Sequence, residues 1–218
     1  MHNEQDGKNI DGKITHNMVT IIVDEIGDPG LDTPNDPDFF MTATIIEKPT
    51  LFGRISAKFR EQFGRTELKS KDINRSKRGR VLKEISELDL DVYAVYIDKG
   101  ADDNPEWWTK TFDRRPVFRM TLSELMDETF SKTEKNYFFV IIDSNQDIMD
   151  GVGEQIVKGS AKNNNKDIIN VKVEDSTDET YGDLIQTNDV IPREARDRKR
   201  GRKERHGIRI NIRRLKGG

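Results

Sequence analysis

Two apolar runs in this chain each end on a carboxylate. Val19-Thr20-Ile21-Ile22-Val23 leads into Asp24-Glu25, and Tyr137-Phe138-Phe139-Val140-Ile141-Ile142 leads into Asp143. β-branched and aromatic residues in runs of this length read as buried strands, so both aspartates sit at the ends of strands inside a sheet. A carboxylate placed there is costly unless a cation or hydrogen-bond donors compensate it. One strand-terminal aspartate is an ordinary turn or capping residue. Two of them, with a third acidic cluster at Tyr181-Gly182-Asp183-Leu184-Ile185-Gln186-Thr187-Asn188-Asp189, point to a divalent-metal site.

Hard carboxylate oxygens suit Mg2+ or Mn2+, and two such ions about 3.5 to 4 Å apart can activate water and stabilise a leaving oxygen. The expected ligands are Asp24, Asp143 and Asp189, completed by Asp28 or Glu25. Successive strand side chains point to opposite faces, so Asp24 and Glu25 do not both face the site if the strand stays regular. Asp28, beyond the Gly27 turn, can fold back. Lys69 is the candidate to neutralise a phosphate or orient the attacking water. In the last helix Leu184, Ile185, Asn188, Ile191 and Ala195 share one face, leaving Gln186 and Asp189 as neighbours on another.

The elements that must position these residues follow from periodicity. Strands are expected over 19–24, 39–46, 92–97, 137–143 and 167–173. Helices are expected over 50–63, 76–88, 116–130, 151–161 and 181–200. Pro192 falls inside the last helix, where it removes a backbone hydrogen bond and forces a kink or restart. The order gives an α/β fold: a mixed sheet that opens with an antiparallel hairpin and becomes parallel where helices cross between strands, with helices on its faces. Sites in such sheets form where loops leave the carboxyl ends of adjacent strands.

The chain has 218 residues, 33% hydrophobic and 35% charged, enough for one domain with polar ends. The expected organisation is a disordered tail over 1–17, a domain over 18–200 and a basic C-terminal segment over 201–218. There is no cysteine, which excludes disulfides, thiolate nucleophiles and cysteine-ligated zinc and fits a reducing compartment. The three histidines, His2, His16 and His206, lie in polar terminal stretches and do not suggest a catalytic centre. No run approaches the roughly 20 apolar residues of a membrane span, and no signal-peptide core opens the chain, so a soluble cytoplasmic protein is expected. The formal net charge of -3 conceals a polarity: from Pro192 onward there are 12 Lys and Arg against 3 Asp and Glu. Arg193, Arg196, Arg198, Lys199, Arg200, Arg202 and Lys203 are therefore candidates to hold nucleic acid. The same run also suits a solvated tail or a subunit contact. Trp107-Trp108 suits base stacking, or one ring in the core and one at its rim.

Five short motifs, in order, resemble one family. Val-Asp-Glu-Ile-Gly-Asp from Val23 to Asp28 is similar to the Asp-Glu-Ser-Gly-Asp opening of domain-of-unknown-function family 3800, with Ile26 in place of the serine. Glu67-Leu68-Lys69, Ile142-Asp143-Ser144 and Asp175-Ser176 resemble its internal segments. Gln186-Thr187-Asn188-Asp189 is similar to its closing Gln-x-Ala-Asp motif, with Asn188 in place of the alanine. The resemblance covers about residues 19 to 200 and implies an RNase H-like fold with metal-dependent nuclease or related phosphoryl-transfer chemistry. The alternative is a catalytically inactive module of the same fold that binds nucleic acid or protein.

Overall fold

In a computed structural model, which describes residues 18–29, 37–104, 114–144, 151–202 and 206–215, the chain forms six strands in one mixed sheet covered by helices on both faces. The strands are β1 (Met18–Ile26), β2 (Asp38–Ile46), β3 (Asp91–Asp98), β4 (Tyr137–Asp143), β5 (Asp167–Glu174) and β6 (Arg209–Arg214). The helices are α1 (Pro49–Phe63), α2 (Arg75–Ser86), α3 (Arg114–Lys132), α4 (Val152–Asn163), α5 (Gly182–Asn188) and α6 (Val190–Lys199).

The sheet order is β5-β4-β1-β2-β3-β6. The first three strands are antiparallel in sequence, as expected for a hairpin extended by one strand, while β4 pairs parallel with β1, β5 with β4, and β6 with β3. β1 and β2 are central and covered on both faces, which is why their sequences are nearly continuous apolar runs. Val19, Ile21 and Val23 of β1 join Phe138, Val140 and Ile142 of β4 in a core closed by α3 and α4. Ile22 points the other way, into a second core with Phe52, Phe59, Val81, Ile85, Val190 and Ile191. Asp24 shares that second face, because it lies two residues beyond Ile22.

The last helix does not run unbroken from 181 to 200. Asp189 ends α5 and begins α6, and Pro192 falls in the first turn of α6, where its missing N–H leaves no hydrogen bond unmade. The proline thus marks a restart. The segment after residue 200 also contains an element that the sequence reading did not place: Arg209–Arg214 adds β6 to the edge of the sheet beside β3. Ile210 and Ile212 pack inward beside Phe40, Ala94 and Ala195. Its arginines meet acidic neighbours, Arg209 with Asp89 at 2.9 Å and Arg213 with Glu128 at 3.0 Å. The expected tail over 1–17, the Trp107-Trp108 pair and Lys203 lie outside the described residues. Among the described residues no helix is long and apolar enough to cross a membrane.

Candidate active site

Parallel pairing brings Val23 of β1 beside Ile142 of β4, so the next residues along, Asp24 and Asp143, leave two adjacent strands at the same level. Side chains at equal register on parallel neighbours project from the same face, and for this pair it is the face covered by α5 and α6. The aspartate between those helices, Asp189, completes an acidic group at the carboxyl ends of the central strands. Beside it opens a cleft of about 430 Å³ whose walls include Lys69, Asp143, Asp175, Gln186, Asp189 and Arg193. Asp24 forms the buried back of this group, at 3% exposure.

The electrostatics reflect the crowding. Burial, followed by the charges of Asp189, Asp143 and Glu25, pushes the Asp24 carboxyl well above the ordinary carboxylate range. Burial and then the Asp189 charge push Asp143 up to about 7, against the opposing pull of Lys69. Burial also raises Asp189, although hydrogen bonds from Ser70 and the charges of Arg193 and Lys69 oppose the shift. Asp24 Oδ1 accepts the Glu25 backbone N–H at 2.7 Å. Its Oδ2 is buried and has no hydrogen-bond partner among the described residues. A buried carboxylate oxygen without a donor is the kind of atom that a cation satisfies.

The donors present are hard oxygens suited to Mg2+ or Mn2+. They are not gathered into a finished cage, however. Among the described residues no three His, Cys, Asp or Glu side chains stand ready around one ion, and Asp189 commits Oδ2 to the Ser70 backbone N–H. Asp24 and Asp143 are thus the pair that would hold an ion, with Asp189 as the third carboxylate in electrostatic reach.

A single side chain organises the cleft wall. Gln186 Oε1 accepts the Leu68 backbone N–H at 3.0 Å and an Arg60 N–H at 2.9 Å, while its Nε2 donates to the Ser176 carbonyl at 2.7 Å. Three of the sequence motifs, the Glu67–Lys69 segment, the Asp175-Ser176 turn and the Gln186–Asp189 helix, therefore meet at one amide. Asp175 holds that turn by accepting from the Thr177 backbone N–H at 2.7 Å. Gly182 lets α5 approach it: a Cβ there would lie 2.6 Å from the Ser176 carbonyl oxygen. Gln186, Ser70, Asp175 and Gly182 were not among the expected site residues. Gln186 and Asp175 lie within the motifs, where a glutamine three residues before the aspartate shares its helix surface, whereas Ser70 and Gly182 lie outside them.

Of the expected residues, Asp24, Asp143, Asp189 and Lys69 are brought together. Lys69 also forms an ion pair with Glu67 at 2.8 Å. Asp28 does not line the cleft; its carboxylate pairs with Arg114 at 3.3 Å. Glu25 contributes to the cleft wall.

The basic residues are distributed differently from a free tail. Arg193 lines the cleft. Arg196 and Arg198 lie on α6, where Arg198 binds Glu194 at 3.0 Å and the Ile208 carbonyl at 2.8 Å. Lys199 and Arg200 both hold Asp38, at 2.6 and 3.1 Å, and Arg202 holds Asp197 at 2.6 Å. Asn188, which stands where the resembled motif has alanine, is fully buried, and neither polar atom of its amide has a partner among the described residues.

The architecture is that of an α/β protein with a carboxylate cluster at the ends of neighbouring parallel strands. Comparison with protein-family models and with curated proteins finds no match for the chain.

Proposed function

We propose that the protein is a divalent-metal-dependent nuclease of RNase H-like fold, a hydrolase acting on phosphodiesters of RNA, DNA or their hybrid. The observation that carries this reading is Asp24 Oδ2, buried without a donor beside Asp143 at the same level of the adjacent strand. Antiparallel β1, β2 and β3 flanked by parallel β4 and β5 accord with the fold that the resemblance to domain-of-unknown-function family 3800 implies. The ordered motifs support the family reading.

Asp24 and Asp143 would hold Mg2+ or Mn2+, with the charge of Asp189 close by and its Oδ2 held by Ser70. The metal supplies Lewis-acid polarisation of the phosphoryl oxygens and a water of lowered pKa. The residues of this chain do the rest. Asp143, which burial and the Asp189 charge hold up to about 7 in the metal-free chain, would give up its proton on taking the ion, so ion binding would strengthen as pH rises. Lys69 and Arg193 set positive charge on the cleft wall where a phosphate would lie. Gln186 fixes the backbone of the segment that carries Lys69. A cytoplasmic setting is in keeping with the absence of cysteine.

The test is cleavage of end-labelled single-stranded RNA, single-stranded DNA and hybrid duplex in EDTA, Mg2+ and Mn2+. Cleavage with metal, abolished in Asp143→Asn while folding persists, is the expected result. No cleavage of any substrate under either metal refutes the enzyme and leaves the binding module.

A further inference from the structure

A second cavity, of about 310 Å³, opens between α2 and α6, separate from the carboxylate cleft. Arg75, Arg78, Lys83, Arg202 and His206 line it, and among the described residues two acids face them, Glu194 and Asp197. Both acids are already engaged. Glu194 accepts from Arg198 at 3.0 Å, and Asp197 holds Arg202 at 2.6 Å.

Arg78 is left in an unusual position. It is 9% exposed, yet among the described residues its ion pair reaches Asp197 at 3.7 Å, long for a hydrogen-bonded contact. Burial lowers its guanidinium pKa, and the nearby charges of Arg193 and Arg202 act in the same direction. A guanidinium with several donors at a cavity wall and, among the described residues, one distant acceptor can take an anion from the cavity.

The backbone around it is open for the same purpose. Asn74 caps α2 by accepting the Lys77 N–H at 2.9 Å, and Arg75 and Ser76 of the first turn face the cavity at the positive end of the helix. Gly79, inside α2, is a poor helix former, and a Cβ there would lie 3.1 Å from His206 Nε2. The glycine admits the imidazole to the cavity wall.

We propose that this cavity is a phosphate-binding subsite, which takes a backbone phosphate of a nucleic acid whose scissile region lies in the carboxylate cleft. α6 joins the two places, with Arg193 on the cleft and Glu194 and Asp197 on the cavity. The choice of nucleic acid rests on the reading given above. Capture of the phosphate group does not.

The experiment uses the full chain in EDTA, so that binding is read without cleavage. Histidine ring resonances are followed by NMR during titration with inorganic phosphate at constant ionic strength, with His206 assigned through His206→Gln. In parallel, the anisotropy of a fluorescein-labelled single-stranded oligonucleotide gives affinity as a function of salt. The expected result is a saturable shift of His206 but not of His2 or His16, lost in Arg75→Glu/Lys83→Gln. The same variant loses oligonucleotide affinity by roughly ten-fold or more, with a shallower salt dependence. Arg75→Glu places a carboxylate in the first turn of α2, where the helix dipole favours it, so the fold is retained. An unresponsive His206 overturns the proposal. A responsive His206 with unchanged oligonucleotide affinity in the double variant overturns the nucleic-acid subsite and identifies the ligand as free phosphate. A protein that cleaves nothing leaves both readouts intact, so failure of the nuclease reading is seen separately.

Discussion

Gln186 accepts the Leu68 backbone N–H at 3.0 Å, so one amide ties the loop that carries Lys69 to the helix that carries Asp189. The same side chain holds Ser176 and Arg60. Gln186→Met keeps the volume and removes every polar contact, leaving a buried N–H without an acceptor. The expected loss is about 1–3 kcal/mol, seen as a Tm lowered by roughly 2–4 °C for each kcal/mol. Amide exchange at Leu68, Lys69 and Ser70 should quicken by more than elsewhere. Exchange that is unchanged at those three amides would show that the loop does not depend on Gln186.

Asp143 makes stability fall as pH rises. Its folded-state pKa is raised from 3.8 to about 7, so between those values the folded chain binds the proton more tightly than the unfolded chain does. The contribution is full below the unfolded pKa and is lost as pH climbs through about 7. Asp143→Asn removes this part of the dependence, while the raised carboxyls of Asp24 and Asp189 keep theirs. The variant should match the wild type in Tm near pH 4 and exceed it at pH 8 by on the order of 4 kcal/mol, or roughly 8–16 °C. A variant no more stable than the wild type at pH 8 would mean that the three carboxylates do not strain the fold.

The strand ends were legible in the sequence because β1 and β4 are buried on both faces and their apolar runs stop abruptly on Asp24 and Asp143. Which residues of the Asp24–Asp28 stretch face the cleft was not legible. Asp28 is diverted to Arg114, a pairing with a helix 86 residues away that local spacing does not encode. β6 was missed for a different reason. Arg209, Arg213 and Arg214 outnumber Ile210 and Ile212, so the run reads as a solvated basic segment, although charged residues are common on edge strands. The break at Asp189 was anticipated through Pro192, whose place in the first turn of α6 shows which side of the break it belongs to.

Metal binding should relieve the carboxylates and so stabilise the folded chain. Mn2+ at a hundred-fold excess over its Kd is worth about 2.7 kcal/mol, a rise of roughly 5–10 °C in Tm at pH 8. The rise should shrink at pH 5, where protons compete for Asp24 and Asp143, and vanish in Asp24→Asn/Asp143→Asn. Calorimetric titration with Mn2+ checks the same point independently. An equal rise in the double variant would place the ion elsewhere.

Asp38 decides whether the basic end of α6 is anchored. It is 2% exposed at the start of β2 and receives Lys199 at 2.6 Å and Arg200 at 3.1 Å. Lys199 also lies 3.6 Å from Asp98 and both cations are part-exposed, so loss of the carboxylate costs about 1–3 kcal/mol. Asp38→Ala should therefore lower Tm by roughly 2–12 °C and expose the 199–202 segment to trypsin. Persistence of the wild-type cleavage pattern would show that the segment is held by other contacts.

Asn188 runs the opposite way, since its amide is buried with no partner among the described residues while Asp189 beside it is held by Ser70. Each unsatisfied buried polar group costs about 1–3 kcal/mol, and alanine removes both polar atoms at the expense of a small void. Asn188→Ala, which restores the residue of the resembled motif, should raise Tm by roughly 2–4 °C, corresponding to about 1 kcal/mol. Because the helix face that carries Asp189 is untouched, Mn2+ affinity should stay within two-fold, a roughly 0.4 kcal/mol window. If Asn188→Ala instead lost both stability and Mn2+ affinity, the amide would be a working part of the site, and the motif's alanine would be no guide to this chain.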